Sequence, residues 1–130
     1  MTTHAKGEFE VVLTPIDTHD VAASLGRLAI NKQYRGDLEA TSKGEMLASR
    51  ETNGSGAYVA LERVTGKLQG RSGSFVLLHS GMMTPASQQL SVTVVPGSAT
   101  EELDELHGKM SIKVVDKKHY YELDYTLPHV

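Results

Sequence analysis

Arg27-Leu28-Ala29-Ile30-Asn31-Lys32-Gln33-Tyr34-Arg35, followed by Gly36-Asp37-Leu38-Glu39-Ala40-Thr41-Ser42-Lys43-Gly44-Glu45-Met46, decides the fold. Polarity alternates here with period two, the signature of strands buried on one face. In the first half Leu28, Ile30, Lys32 and Tyr34 share one face, against Arg27, Ala29, Asn31 and Gln33. In the second, running on to Ser49, Leu38, Ala40, Ser42, Gly44 and Met46 oppose Asp37, Glu39, Thr41, Lys43 and Glu45.

The same pattern extends in both directions. Upstream, Lys6 to Pro15 places Phe9, Val11 and Leu13 opposite Glu8 and Glu10. Downstream, Arg50 to Gly56 reads as a hairpin loop in which Asn53-Gly54 accepts positive φ. Ala57 to Leu68 sets Tyr58, Ala60, Glu62, Val64 and Leu68 against Val59, Leu61, Arg63, Thr65 and Lys67. Its first half is apolar on both faces, so a bulge near Gly66 would exchange them.

A turn over Gly70 to Gly73 leads to a fifth strand with Phe75, Leu77 and His79 facing one way and Ser74, Val76, Leu78 and Ser80 the other. Leu90, Val92 and Val94 mark a sixth strand, ended by Pro96-Gly97. Thr100 to Leu106 reads as a single turn capped by Thr100. Met110, Ile112 and Val114 belong to a seventh strand, Gly108 to Val115. After a turn at Asp116-Lys117-Lys118, the eighth carries His119, Tyr121, Leu123, Tyr125 and Leu127 on one face.

The expectation is one all-β domain over residues 1–130, an antiparallel eight-stranded barrel. So much strand is unusual for an average domain, and closure accounts for it by removing exposed edges. Eight strands enclose an interior that side chains fill or that holds one small ligand.

Composition narrows the function. The net charge of −3 supplies no basic excess for phosphates, and two Phe, five Tyr and no Trp make a poor platform for stacking bases. Nucleic acid is not an expected partner. With no cysteine there are no disulfides and no thiolate chemistry. No apolar run approaches the ~20 residues of a spanning helix, and the N-terminus lacks a secretory h-region. No membrane association and a cytoplasmic location are the expectations.

Histidines at 4, 19, 79, 107, 119 and 129 show no metal-ligand spacing, so no metal is expected. Gly70-Arg71-Ser72-Gly73-Ser74 lacks the final glycine of a nucleophile elbow. No phosphate loop or dinucleotide fingerprint occurs, so no cofactor is expected. The acidic run Glu101-Glu102-Leu103-Asp104-Glu105 reads as a solvated face.

The face pattern also places polar groups inside: Lys32, Tyr34, Tyr58, Glu62, His79, Tyr121 and Tyr125. An unpaired buried charge costs several kcal/mol, so Lys and Glu on an interior face invite a functional reading. Lys32, Glu62 and His79 come from three strands and converge in one cavity on this reading, with Tyr34, Tyr58 and Tyr125 beside them. The plainer reading has Lys32 near a strand end with its ammonium in water, Glu62 paired to Lys32 or turned outward, and His79 satisfied by a tyrosine hydroxyl. For the tyrosines, packing with a satisfied hydroxyl is the stronger reading.

Four stretches together carry a resemblance: 32–42 (KQYRGDLEATS), 57–64 (AYVALERV), 70–81 (GRSGSFVLLHSG) and 121–125 (YELDY). The chain resembles a family of small bacterial proteins classed as a domain of unknown function, whose members look like the barrel of plant allene oxide cyclase. The resemblance implies an antiparallel eight-stranded barrel, often oligomeric. Allene oxide cyclase binds an apolar fatty-acid epoxide in its barrel, and the distantly similar dirigent proteins also handle small apolar molecules. No cyclase motif matches residue by residue, so the resemblance implies no catalytic residue, and likeness of fold does not establish function.

Three functions fit. In the first, the barrel binds a small, mostly apolar molecule, with Lys32, Glu62 and His79 fixing a polar end. In the second, the cavity is an isomerase or cyclase site in which His79 or Glu62 moves a proton. In the third, the core is filled and the protein is a homo-oligomeric interaction partner using Val59, Leu61, Val76 and Leu78.

Overall fold

The computed structural model of the chain describes residues 1–16 and 25–128; His19 and His129 lie outside the described residues. Eight strands occur: β1 Thr3–Pro15, β2 Leu25–Gly36, β3 Leu38–Arg50, β4 Gly56–Leu68, β5 Arg71–Met83, β6 Gln88–Val94, β7 His107–Val115 and β8 Lys118–Thr126. Each pairs with its sequence neighbours in antiparallel fashion. β1 also pairs with β8, from Thr3↔Tyr125 to Phe9↔His119, which closes the barrel.

The alternation sets the register. Lys32 stands opposite Ser42, Gly44 opposite Glu62, and Ala60 opposite His79, so every apolar-rich face points inward. A slip of one residue in any of these pairs would turn a strand's apolar set to solvent.

Three local expectations are corrected. The turn before β5 is Gln69-Gly70 rather than Gly70 to Gly73, and β5 begins at Arg71. Both turn residues take positive φ, 46° and 88°, as do Asp116 and Lys117 before β8. This is the two-residue turn whose twist matches the flanking strands. No face exchange occurs at Gly66, where the ladder runs unbroken from Ala40 through Gly66 to Gly73. The glycine permits close approach instead, since a Cβ there would lie 2.6 Å from the Ala40 Cα. The single turn is a 3₁₀ turn at Glu101–Leu103, but Thr100 does not cap it. The Thr100 hydroxyl instead accepts from the Ser74 N–H at 3.0 Å and ties the turn to β5.

That turn plugs one end of the barrel. Leu103 and Leu106 are buried there with Leu38, Leu68, Leu127 and Tyr125. The opposite end is less tightly sealed. The β6–β7 ladder has two pairs, Val92↔Met110 and Thr93↔Lys109, and runs no further toward that end. Inward-facing positions there are left open, with Leu13 45%, Leu90 39% and Val114 57% exposed. No helix among the described residues is long and apolar enough to cross a membrane.

Gly44 links the frame to the interior. A Cβ there would lie 2.6 Å from the Glu62 Cα and collide with the Leu61 carbonyl. Overpacking of this kind costs about 1–3 kcal/mol. Gly44→Ala is therefore expected to lower the urea midpoint of unfolding by an amount corresponding to about 2 kcal/mol. An unchanged midpoint would show that β3 and β4 can separate without cost at this point.

Candidate functional site

Glu62 occupies the middle of β4, and its side chain is fully buried. A carboxylate without water needs donors for its lone pairs or it gives up its charge. β2 supplies the Lys32 ammonium, 2.9 Å from Oε1, and the Tyr34 hydroxyl, 3.0 Å from Oε1 and 3.1 Å from Oε2. β3 supplies the Ser42 hydroxyl, in a short bond to Oε2. From β5, His79 brings Nε2 to 2.6 Å from Oε1. Four side chains on three strands thus converge on one carboxyl group.

Burial by itself pushes the Glu62 carboxyl upward. The hydrogen bond from His79, the charge of Lys32 and the bonds from Ser42 and Lys32 outweigh that effect and hold it at about 2. Burial, followed by the negative charge of Glu62, pushes the Tyr34 hydroxyl well above the ordinary phenol range, so it stays protonated and donates. The Lys32 ammonium is also 4.7 Å from the centre of the Phe9 ring and 3.4 Å from the Tyr34 oxygen. Cation–ring contacts of this kind strengthen when water is excluded.

These distances settle what each atom can do. An ionised Glu62 accepts and never donates, so the proton between it and His79 belongs to Nε2. The other ring nitrogen, Nδ1, has no hydrogen-bond partner among the described residues. No fully enclosed side-chain nitrogen or oxygen lacks a partner there, so Nδ1 keeps some exposure within a residue that is 4% exposed as a whole. Glu62, held ionised near 2 and surrounded by donors, is a poor proton acceptor at neutral pH. His79 Nδ1 is the group's one side-chain nitrogen without a partner among the described residues.

Lys32, Tyr34 and His79, read from the sequence as converging with Glu62, all meet it directly. Lys32 lies well inside β2, 8% exposed, and its ammonium meets Glu62 rather than water. His79 is satisfied by Glu62 rather than by a tyrosine. Tyr58 borders the group without bonding to it, its ring 6.4 Å from that of His79 and packed over Gly81. Burial and then the charge of Glu62 raise its hydroxyl pKa, so it too remains a donor.

Tyr125 is not part of the group. It lies toward the plugged end, where its hydroxyl bonds to the Gln69 side chain. Tyr121 is likewise structural, accepting from the Leu38 N–H at 2.8 Å and donating to the Arg35 carbonyl at 2.9 Å. Sequence reasoning passed over Ser42 and Phe9. Both lie on the inward face of their strands, which was the available signal, but neither carries a charge to draw notice.

Surface hollows are separate from the group. One of about 620 Å³ is lined by outward-pointing Lys6, Glu8, Lys113 and Glu122 and mixes both charge signs. Another of about 440 Å³ lies at the rim of β3 to β6, where inward Ala48, Tyr58, Gly81 and Leu90 line it together with Leu47, Val59 and Met82. Among the described residues no group of three or more His, Asp or Glu is placed to hold a metal ion.

The Glu62 carboxyl is lower in the folded protein, about 2, than its ordinary 4.5. Its contribution to stability is therefore complete above pH 4.5 and is lost as pH falls toward 2. The displacement corresponds to about 3 kcal/mol. Urea midpoints measured from pH 6 down to pH 2.5 are expected to fall more steeply in the native protein than in Glu62→Gln. Parallel curves would show that Glu62 is not held ionised by its neighbours.

The sequence profile of the family described as "Protein of unknown function (DUF3224)" matches residues 5–125. A crystal structure at 1.84 Å of a protein with unknown function from that family, from Shewanella oneidensis MR-1, is 43% identical. The match covers 98% of each chain with a TM-score of 0.92. No curated protein is significantly similar to the chain. A profile match over nearly the whole barrel, together with that structural likeness, shows that this chain belongs to the DUF3224 family.

Proposed function

We propose that the protein binds a small, mostly apolar molecule at the open end of the barrel, with the Glu62 group as the floor of the site. The observation that carries this reading is the contrast between the two ends. One is plugged by Leu103 and Leu106; at the other, Leu13, Leu90 and Val114 face inward yet remain exposed. Apolar surface left uncovered on a concave face above a few convergent polar groups is the usual make-up of a small-molecule site. The resemblance to the allene oxide cyclase barrel adds an analogy of fold to this reading.

Native mass spectrometry of protein purified from its own host is expected to show a stoichiometric adduct that denaturing extraction releases. In a parallel titration, the neutral fluorophore N-phenyl-1-naphthylamine is expected to brighten and blue-shift on binding. Ala48→Trp, at a half-buried inward position near the rim, is expected to reduce that binding at least tenfold while leaving the circular dichroism spectrum intact. Absence of both adduct and dye binding would overturn the proposal.

A second reading concerns the outside of the barrel. Val59, Leu61 and Leu78 lie side by side on β4 and β5, 51%, 54% and 46% exposed, with Val76 half-buried next to them. Clustered apolar exposure of this kind is typical of a subunit interface, and we propose a homo-oligomer joined through it. Leu61→Glu is expected to shift the mass measured by sedimentation equilibrium down to 14.1 kDa. A native protein that already sediments at 14.1 kDa would rule the interface out.

A further inference from the structure

We infer that the floor of the barrel selects a neutral hydroxyl group, so that the bound molecule is an apolar alcohol or phenol rather than a carboxylate. The inference rests on the reading of the open end as a binding site and specifies the chemistry of its ligand.

The polar atoms of the floor are almost all committed. The Glu62 oxygens accept from Lys32, Tyr34, Ser42 and His79. Lys32 is engaged by Glu62, Tyr34 and the Phe9 ring, so its charge is matched and its donors are occupied. An incoming carboxylate would find no free cation, and it would approach the negative charge of Glu62. Desolvating such an anion without a partner is heavily unfavourable.

What the floor leaves open is a matched pair. His79 Nδ1 has no partner among the described residues, and Glu62 holds a ring proton on the other nitrogen. A ring carrying that single proton offers a lone pair at Nδ1. The Tyr58 hydroxyl, on the ring neighbouring His79, has no partner among the described residues and can donate or accept. A hydroxyl group donates one hydrogen bond and accepts others, so it can answer both. A carboxylate, which can only accept, cannot answer Nδ1.

Access is consistent with this. Val92, the ladder neighbour of His79, is the last residue of β6 toward the open end that pairs with β7. Beyond it, Leu90 is exposed on the inward face. The apolar body of the ligand would cover Leu90, Leu13 and Val114, and its hydroxyl would reach down to His79.

Three probes with one ring system separate the possibilities: naphthalene, 1-naphthol and 1-naphthoate, each titrated at pH 8 by intrinsic probe fluorescence. 1-Naphthol is expected to bind about tenfold more tightly than naphthalene, the gain from one well-formed hydrogen bond, and 1-naphthoate more weakly than naphthalene. His79→Leu is expected to abolish the advantage of 1-naphthol while retaining naphthalene. Because that variant removes a donor from Glu62, the native protein supplies a second readout: the 15N resonance of His79 Nδ1 is expected to move upfield on adding 1-naphthol and to stay in place with naphthalene. If none of the three binds, the binding site itself falls. If naphthalene binds but 1-naphthol gains nothing, if 1-naphthoate binds best, or if Nδ1 is silent, the binding site stands and the hydroxyl inference is overturned.

Discussion

A carboxylate removed from water in the middle of a barrel keeps its charge only if donors surround it. Glu62 meets that demand with Lys32 and Tyr34 from β2, Ser42 from β3 and His79 from β5. The requirement reaches well beyond the group itself. It fixes the register of four consecutive strands, because a one-residue shift in any of them would carry its donor to the outer face. It also accounts for a glycine on the inward face of β3. Gly44, opposite Glu62, leaves room that any side chain would take, so β3 and β4 can approach closely enough for Ser42 to reach Oε2.

An ion group of this kind is not a cheap way to stabilise a small barrel. Replacing a buried ion pair by apolar residues is often neutral or stabilising, whereas removing one partner is strongly destabilising. The cluster is therefore better understood through what it fixes than through what it adds to stability. Its consequence for chemistry is the orientation of His79. With Nε2 held by an ionised carboxyl group, the imidazole is fixed in orientation and Nδ1 is left without a partner among the described residues. A carboxylate orienting a histidine is the arrangement that hydrolytic triads use for their base; here it is built on neighbouring strands of a barrel.

The two ends of the barrel divide the work. At one end, the tight Gln69-Gly70 turn, the 3₁₀ turn and the large buried side chains of Leu38, Leu68, Leu103, Leu106 and Tyr125 make a packed core. At the other, the β6–β7 ladder stops at Val92 and inward apolar side chains remain exposed. The polar group lies between the two, on the strands β2 to β5. The family relationship extends over almost the entire barrel, so this division belongs to a fold shared at 43% identity with the Shewanella protein.

Period-two alternation was enough to read the eight strands, their inward faces and the closed antiparallel barrel, because one buried face per strand leaves its mark on every second residue. It also placed Lys32, Tyr34, Glu62 and His79 inside, since parity alone determines the face. Parity has no information about height along the barrel axis, which depends on strand tilt and register. Tyr125 shares its inward parity with the group, and only the three-dimensional stagger sends it to the plugged end. Turn boundaries were misread where residues other than glycine adopt positive φ, as at Gln69, because propensity favours Gly70 to Gly73 and the twist of the strands overrules it. The bonding of His79 was likewise decided by tertiary structure: composition offers five tyrosines as partners, but the register of β4 and β5 brings Glu62 within 2.6 Å of Nε2.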